Sequence, residues 1–345
     1  MTAPTVRMLR YARAWVFGPT ELVEDEIQLD RDGTPVAATL VRPRRPQPPL
    51  PAWVVLHGIT RPGRSHAQLL RFTRAIASTG AVAIIPDVPE WRELSLSPHL
   101  SAPTVRAAIR GLRASGLALD RPVGIVGVSF GAPHAIAAAG LPDLRDEIAT
   151  AVGFGGYGHL ESTFDFMMSG EHGWNDDRHA LRPDPYGRWV VGANYLTAVP
   201  GHDDAGDVAR ALHTLAATSG DGDAPSWHPV YDPLIRRMRT EVAESRRPLY
   251  DLFARPSDVP LTAPRGPAGE SGHALAEGLA AAGRRLDPLI DPSDALGNVE
   301  RPAHILHGRR DHLIPFTQAY RLRQALPASG RHHVTVTRMF GHSAQ

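Results

Sequence analysis

Residues Val123 to Ala139 read VGIVGVSFGAPHAIAAA. Val123 to Val128 make a fully apolar run of strand type, and Ala132 to Ala139 are rich in alanine, the strongest helix former. Ser129 stands at the junction, with Gly127 two residues before it and Gly131 two after. A serine between a strand and a helix must occupy a tight, strained turn if its hydroxyl is to stand clear of the backbone. Glycines at the flanking positions supply room where a side chain would collide with the adjoining strand or helix. The same turn points the Phe130 amide N–H and the positive end of the following helix at the space before the hydroxyl. Negative charge developing on a substrate oxygen would be stabilised there. A glycine-rich turn with a bystander serine would carry the same five residues, so the rest of the chain must supply partners.

Outward from this segment, short β-branched runs alternate with helical periods from Ile27 to Gly155, the pattern of a mostly parallel sheet with helices on both faces. Glu24–Leu29 and Val36–Val41 read as an opening antiparallel pair turned at Asp32-Gly33, and Arg42–Leu50 as a proline-rich surface loop. Trp53–Leu56, Val82–Ile85 and Ile148–Phe154 are further strands; Gln68–Ala77 and Pro103–Leu112 are helices. Between about Gly155 and Asn298 the alternation stops. Helices are expected at Asp207–Ala217, Pro233–Phe253 and His273–Leu286, with a Pro/Gly-rich loop at Arg255–Gly269. Alternation resumes with strand Ala303–Leu306, helix Phe316–Leu326 and strand Val334–Thr337. The reading is one α/β sheet domain, residues 1–155 and 299–345, with a mainly helical insertion, 156–298.

A serine hydroxyl is a weak nucleophile and needs a base and an orienting acid. His307-Gly308-Arg309-Arg310-Asp311 follows a strand and enters a loop closed by Pro315, which makes Asp311 the candidate acid. Aspartate is also common in solvated turns. Among 17 histidines, His342 is singled out by its place after the last strand, preceded by Gly341. The order Ser, Asp, His completes a candidate triad. At the end of an early strand, His57-Gly58-Ile59 lies where an oxyanion loop belongs, with the Ile59 amide as second donor beside Phe130. Losing one such donor typically costs ~3 kcal/mol of transition-state stabilisation. His57 reads as a hydrogen-bonding residue that shapes this loop rather than as the base.

With these residues in place, the chain outside the insertion resembles the α/β-hydrolase superfamily. His57-Gly58, the Ser129 turn, Gly308 to Pro315 and Gly341-His342 match its pattern in order. The resemblance implies acyl-group hydrolysis without a cofactor and a helical cap between the sixth and seventh strands. It assigns nucleophile, acid and base to Ser129, Asp311 and His342, and the oxyanion hole to Ile59 and Phe130. Serine at the turn, where dehalogenase and epoxide-hydrolase relatives carry aspartate, argues against those two reactions. The family normally continues into a helix after the histidine, whereas only Ser343, Ala344 and Gln345 follow His342 here. The expectation is therefore a shortened chain, or packing of the insertion or the N-terminal segment against 334–340 and its loop.

Composition bounds the alternatives. The 345 residues carry a formal charge of +1 from 37 basic and 36 acidic side chains, which gives no reason to expect a nucleic acid or acidic membrane as partner. Every basic residue is arginine, so Walker-type phosphate loops, Schiff bases and serine–lysine dyads are excluded. The absence of cysteine excludes thiol catalysis, disulfides and cysteine-ligated metals. No apolar run reaches the roughly 20 residues of a membrane span, and 1–19 lacks a signal-type core, so a cytoplasmic protein is expected, with Met8–Phe17 read as a docked or frayed N-terminal helix in preference to an amphipathic surface one.

Within the insertion, Phe164, Phe166, Met167, Met168 and Trp174 fit either a flexible acyl pocket or cap core. His172, Asp176, Asp177, His179, His202, Asp203 and Asp204 match no ligand spacing and read as solvated loops. The expected activity is hydrolysis of a small carboxylic ester. Peptide, amide or thioester cleavage, acyl transfer, and ligand binding without catalysis are the alternatives.

Overall fold

The computed structural model describes residues 3–19, 21–47, 49–222, 224–259 and 269–342. Eight strands form the main sheet: β1 (Leu22–Arg31), β2 (Thr34–Pro43), β3 (Ala52–Leu56), β4 (Val82–Pro86), β5 (Val123–Val128), β6 (Ile148–Phe154), β7 (Ala303–Gly308) and β8 (His332–Thr337). Their spatial order is β1-β2-β4-β3-β5-β6-β7-β8. β2 pairs antiparallel with β1 and β4, and every other pairing is parallel. The sheet is thus mostly parallel, as expected from alternating strand and helix signals.

Alternate residues of the central strands face opposite ways, and both faces are apolar. Val54, Leu56, Ile84 and Ile125 pack on one side against α3 (Ser101–Ala114), α4 (Gly131–Ala138) and α11 (Thr317–Ala325). Val55, Ile85 and Val126 pack on the other against Leu69 and Ile76 of α2 (Ala67–Ala77). The N-terminal helix α1 (Ala3–Phe17) docks on α2. Tyr11 meets the Phe72 ring edge-on, and the Arg71 guanidinium lies 4.6 Å over the Trp15 ring while its Nε donates to the Trp15 carbonyl.

The chain between β6 and β7 is mainly helical: α5 (Leu160–Ser169), α6 (Pro185–Tyr195), α7 (Gly206–Gly220), α8 (Asp232–Glu241), α9 (Arg247–Phe253) and α10 (Gly269–Leu286). Trp189, Leu212, Tyr250, Phe253 and Leu279 build its core, which is continuous with Trp91 and Phe130 of the sheet domain. The expected single helix Pro233–Phe253 is two. Val242 and Ala243 are extended, and Asp207 pins the break by accepting from the Ala243 amide at 2.9 Å and Arg246 Nε at 2.8 Å. Pro248, which lacks an N–H, sits in the first turn of α9, where none is needed.

A second correction is the hairpin of Glu171–Trp174 with Asp177–Ala180, in a stretch read as solvated loop. His172 is buried, with its ring edge-on to Phe166 and Phe316 and 5.2 Å from its cross-strand neighbour His179. Two aromatic contacts outweigh the polarity of its neighbours. The stretch 260–268 of the expected Arg255–Gly269 loop lies outside the described residues. Among those described, no helix is long and apolar enough to cross a membrane, and no three acidic or histidine side chains are grouped to hold a metal.

Candidate active site

β5 delivers Ser129 into a left-handed turn, φ 55°, a conformation that costs a non-glycine residue of order 1–3 kcal/mol. The turn is held by the Ser129 amide donating to Phe154 O at 2.7 Å and the Ala132 amide donating to Ser129 O at 2.9 Å. Both flanking glycines are forced by close approach. A β-carbon at Gly127 would lie 2.2 Å from the Gly131 carbonyl oxygen, and one at Gly131 would lie 2.5 Å from that of His57.

His342 lies with Nε2 2.7 Å from Ser129 Oγ and Nδ1 2.8 Å from Asp311 Oδ2. A carboxylate accepts only, so Nδ1 carries the proton and Nε2 is free to accept from the serine hydroxyl. Asp311 is fully buried in the loop after β7, and its Oδ1 accepts from the Leu313 and Ile314 amides, each at 2.9 Å. Burial pushes the Asp311 carboxyl up, but the charges and hydrogen bonds of His342 and His307 outweigh it and hold the group well below the ordinary carboxylate range. Burial pulls the His342 imidazole down. The Asp311 carboxylate, with a smaller push from Asp184, more than reverses this and leaves it above the usual histidine value.

Neighbouring strand ends shape the space. Gly155, at the end of β6 with φ 58°, faces the pair: a β-carbon there would lie 3.2 Å from His342 Nδ1 and 3.3 Å from Asp311 Oδ2. Gly308 lets the His342 loop cross β7, since a β-carbon there would be 2.3 Å from Phe340 O. Phe340 packs on Phe154 with ring centroids 5.2 Å apart, Phe154 on Phe72, and Phe72 on Tyr11. Through this line of rings the N-terminal helix supports the loop that carries His342. Residues 343–345 lie outside the described residues.

The loop after β3 crosses directly over the serine: a β-carbon on Gly58 would lie 2.9 Å from Ser129 Cβ. His57 accepts from the Val88 amide at Nε2, 3.0 Å, so its Nδ1 carries the proton and donates to Gly58 O at 2.7 Å. Both ring nitrogens are engaged with backbone, leaving no base at this position. Among the described residues the Ile59 and Phe130 amides donate to no backbone or side-chain acceptor. From the insertion, Tyr186 of α6 donates its hydroxyl to Ile59 O at 3.2 Å, tying the two parts together at the site.

The five candidate residues therefore gather at one end of the sheet. Sequence reasoning missed His307, whose Nε2 lies 3.2 Å from Asp311 Oδ2 and 2.8 Å from Ile314 O. It also missed Asp184, which accepts from the Tyr186 amide at the start of α6 and is close enough to His342 to act on its charge. The signal for His307 was its place four residues before Asp311 at a strand end; Asp184 had none. Of the aromatic and methionine cluster, Phe164, Met167 and Met168 share the core of the insertion, with Phe164 on Tyr195, while Phe166 packs on His172 and Trp174 on Tyr320.

No protein-family model matches the sequence, and neither does any curated protein. Solved structures are similar to it. The uncomplexed Pyrococcus horikoshii acylaminoacyl peptidase superposes with a TM-score of 0.51 at 10% identity, over 96% of this chain and 39% of that one. An acylaminoacyl peptidase in complex with Z-Gly-Gly-Phe-chloromethyl ketone gives 0.51 at 11% identity, with coverage of 96% and 39%. The chain thus spans about two fifths of the length of these structures, and at such identity the likeness is one of fold.

Proposed function

The chain has the α/β-hydrolase fold, and on that premise we propose that it is a serine hydrolase that cleaves a small carboxylic ester through an acyl-enzyme. The observation that carries the reading is the unbroken line Ser129 Oγ, His342 Nε2, His342 Nδ1, Asp311 Oδ2, with steps of 2.7 Å and 2.8 Å across its two hydrogen bonds.

Ser129 attacks the ester carbonyl as its proton passes to His342 Nε2, and the carbonyl oxygen becomes an oxyanion. The Ile59 and Phe130 amides receive that charge, helped by the N-terminal end of α4. His342 returns the proton to the leaving alkoxide, and Ser129 is left acylated. A water then gives a proton to the same nitrogen and attacks the acyl carbon. As the tetrahedral intermediate collapses, His342 returns that proton to Ser129 Oγ and the acid leaves. Asp311 keeps Nδ1 protonated and offsets the positive imidazolium at each transfer. This chemistry requires no cofactor. In the proposal, residues 1–155 and 299–345 form the catalytic domain, 156–298 form the cap that controls access, and the enzyme acts in the cytoplasm.

A fluorophosphonate probe should label the protein at Ser129, and a panel of nitrophenyl esters and matched nitroanilides should be turned over with ester preferred. Faster turnover of the anilides would move the proposal to amide or peptide cleavage. Absence of both labelling and turnover in folded protein would leave a ligand-binding relative of the fold.

A further inference from the structure

Three arginines of the insertion border one small cavity, and none of them has a carboxylate at ion-pair distance among the described residues. Arg182 precedes α6, Arg188 lies within it and Arg255 follows α9; with Trp227 they bound a space of about 20 Å³. Arg188 donates from Nε to Phe253 O at 2.6 Å and from Nη1 to Met167 O at 3.4 Å, and its Nη2 has no partner among the described residues. Arg255 donates only from Nε, to Asp251 O at 2.8 Å. The Arg182 guanidinium lies 5.7 Å from the Trp227 ring and hydrogen-bonds to nothing described. Their neighbours behave otherwise: Arg236, Arg239, Arg246 and Arg284 each pair with a carboxylate.

Arg182 is exposed and Arg188 and Arg255 are half-buried, and gathering like charges costs free energy unless a counter-charge joins them. The cost is visible at Arg188, whose pKa is brought down to about 10 by burial, with repulsion from Arg255 and Arg182 adding to it and Asp184 opposing. Two carboxylates stand near the three guanidiniums, and neither makes an ion pair with them. Asp232, which also bounds the cavity, accepts from the Ser257 amide and hydroxyl at 2.8 and 2.6 Å, and Asp184 caps α6. What remains is a set of unused guanidinium N–H groups around room for about one water-sized group. That combination fits the oxygen-bearing end of an anion, since planar guanidinium forks match carboxylate and phosphate geometry.

We propose that this cavity binds the oxyanion group, a carboxylate or phosphate, of a small ligand. It adjoins the loop of the candidate acid: the Trp227 ring is 5.0 Å from His312, the residue after Asp311, and the Asp184 amide donates to His312 O at 2.6 Å. The anion is either a free effector or the charged end of a substrate, and one set of measurements separates them.

Titration calorimetry of the whole protein with inorganic phosphate and with succinate, at constant ionic strength set with chloride, should show saturable binding at one site. Arg255→Met and, separately, Arg182→Met should weaken it by about 10-fold or more, as expected for loss of a charged fork; circular dichroism confirms that each variant is folded. With nitrophenyl hemiglutarate and nitrophenyl butyrate, a rise in KM for the charged ester alone identifies a substrate subsite. An equal response of both esters to added phosphate identifies an effector site. The calorimetry stands whether or not either ester is cleaved. Absence of saturable binding of both anions, or binding unchanged in both variants, overturns the proposal.

Discussion

The Nε2 of His307 lies 3.2 Å from Oδ2 of Asp311, and neither side chain reaches solvent. That oxygen also receives His342, so the candidate acid is held by two imidazoles and two backbone amides. The Nε2 of His307 hydrogen-bonds to Ile314 O at 2.8 Å, which anchors the ring to the acid loop beside the carboxylate. His307→Asn should therefore lower kcat by about 5- to 10-fold, equivalent to the ~1 kcal/mol of one buried hydrogen bond, with KM nearly unchanged. Steady-state kinetics on a nitrophenyl ester decide it. A rise in KM with constant kcat would make His307 part of the binding surface instead.

Ser129 holds a left-handed conformation that glycine adopts without strain. Ser129→Gly should be inactive yet at least as stable as the parent, with an unchanged or higher thermal midpoint. Ser129→Ala should be equally inactive while keeping the strain. Calorimetry of both variants checks this; activity above a few per cent in either would place the nucleophile elsewhere.

The pH dependence follows from His342. Its unprotonated form is the base, and Asp311 holds its pKa above the ordinary value, so kcat/KM should rise with pH through a midpoint above 6.5. Asp311→Asn removes the charge that raises the imidazole and leaves the burial that lowers it. The variant should be slower by about 10³ to 10⁴, with its midpoint moved to lower pH. A midpoint unchanged in the variant would show that another group sets it.

Phe166 is fully buried, with its ring edge-on to His172, and Met167 lies against Gly187 beside Leu313 of the acid loop. Phe166→Ala should therefore cost about 3–5 kcal/mol of stability and leave the preference among acyl lengths as it was. Met167→Ala should change that preference. Denaturant titration with a chain-length series of esters separates the two; a changed preference in Phe166→Ala would put that ring in the acyl pocket.

Local pattern was enough for the strands of the main sheet and for the Ser129 turn. A buried parallel strand is an apolar run, a helix repeats every 3.6 residues, and Gly127 answers a contact with the Gly131 carbonyl made within the turn. Those constraints act over a few residues and leave their mark in composition. The remainder depends on groups far apart in the chain. The split of Pro233–Phe253 is pinned by Asp207, the burial of His172 depends on Phe316, and the His342 loop rests on rings reaching back to Tyr11. Arg182, Arg188 and Arg255 meet only because α6 and α9 pack together, which no local period records. The sequence by itself determined an α/β sheet carrying a serine turn, because each strand and helix follows from its own residues. Which histidine stands beside the acid, and which arginines meet, was decided only by tertiary packing, which sets distances between residues that share no local pattern.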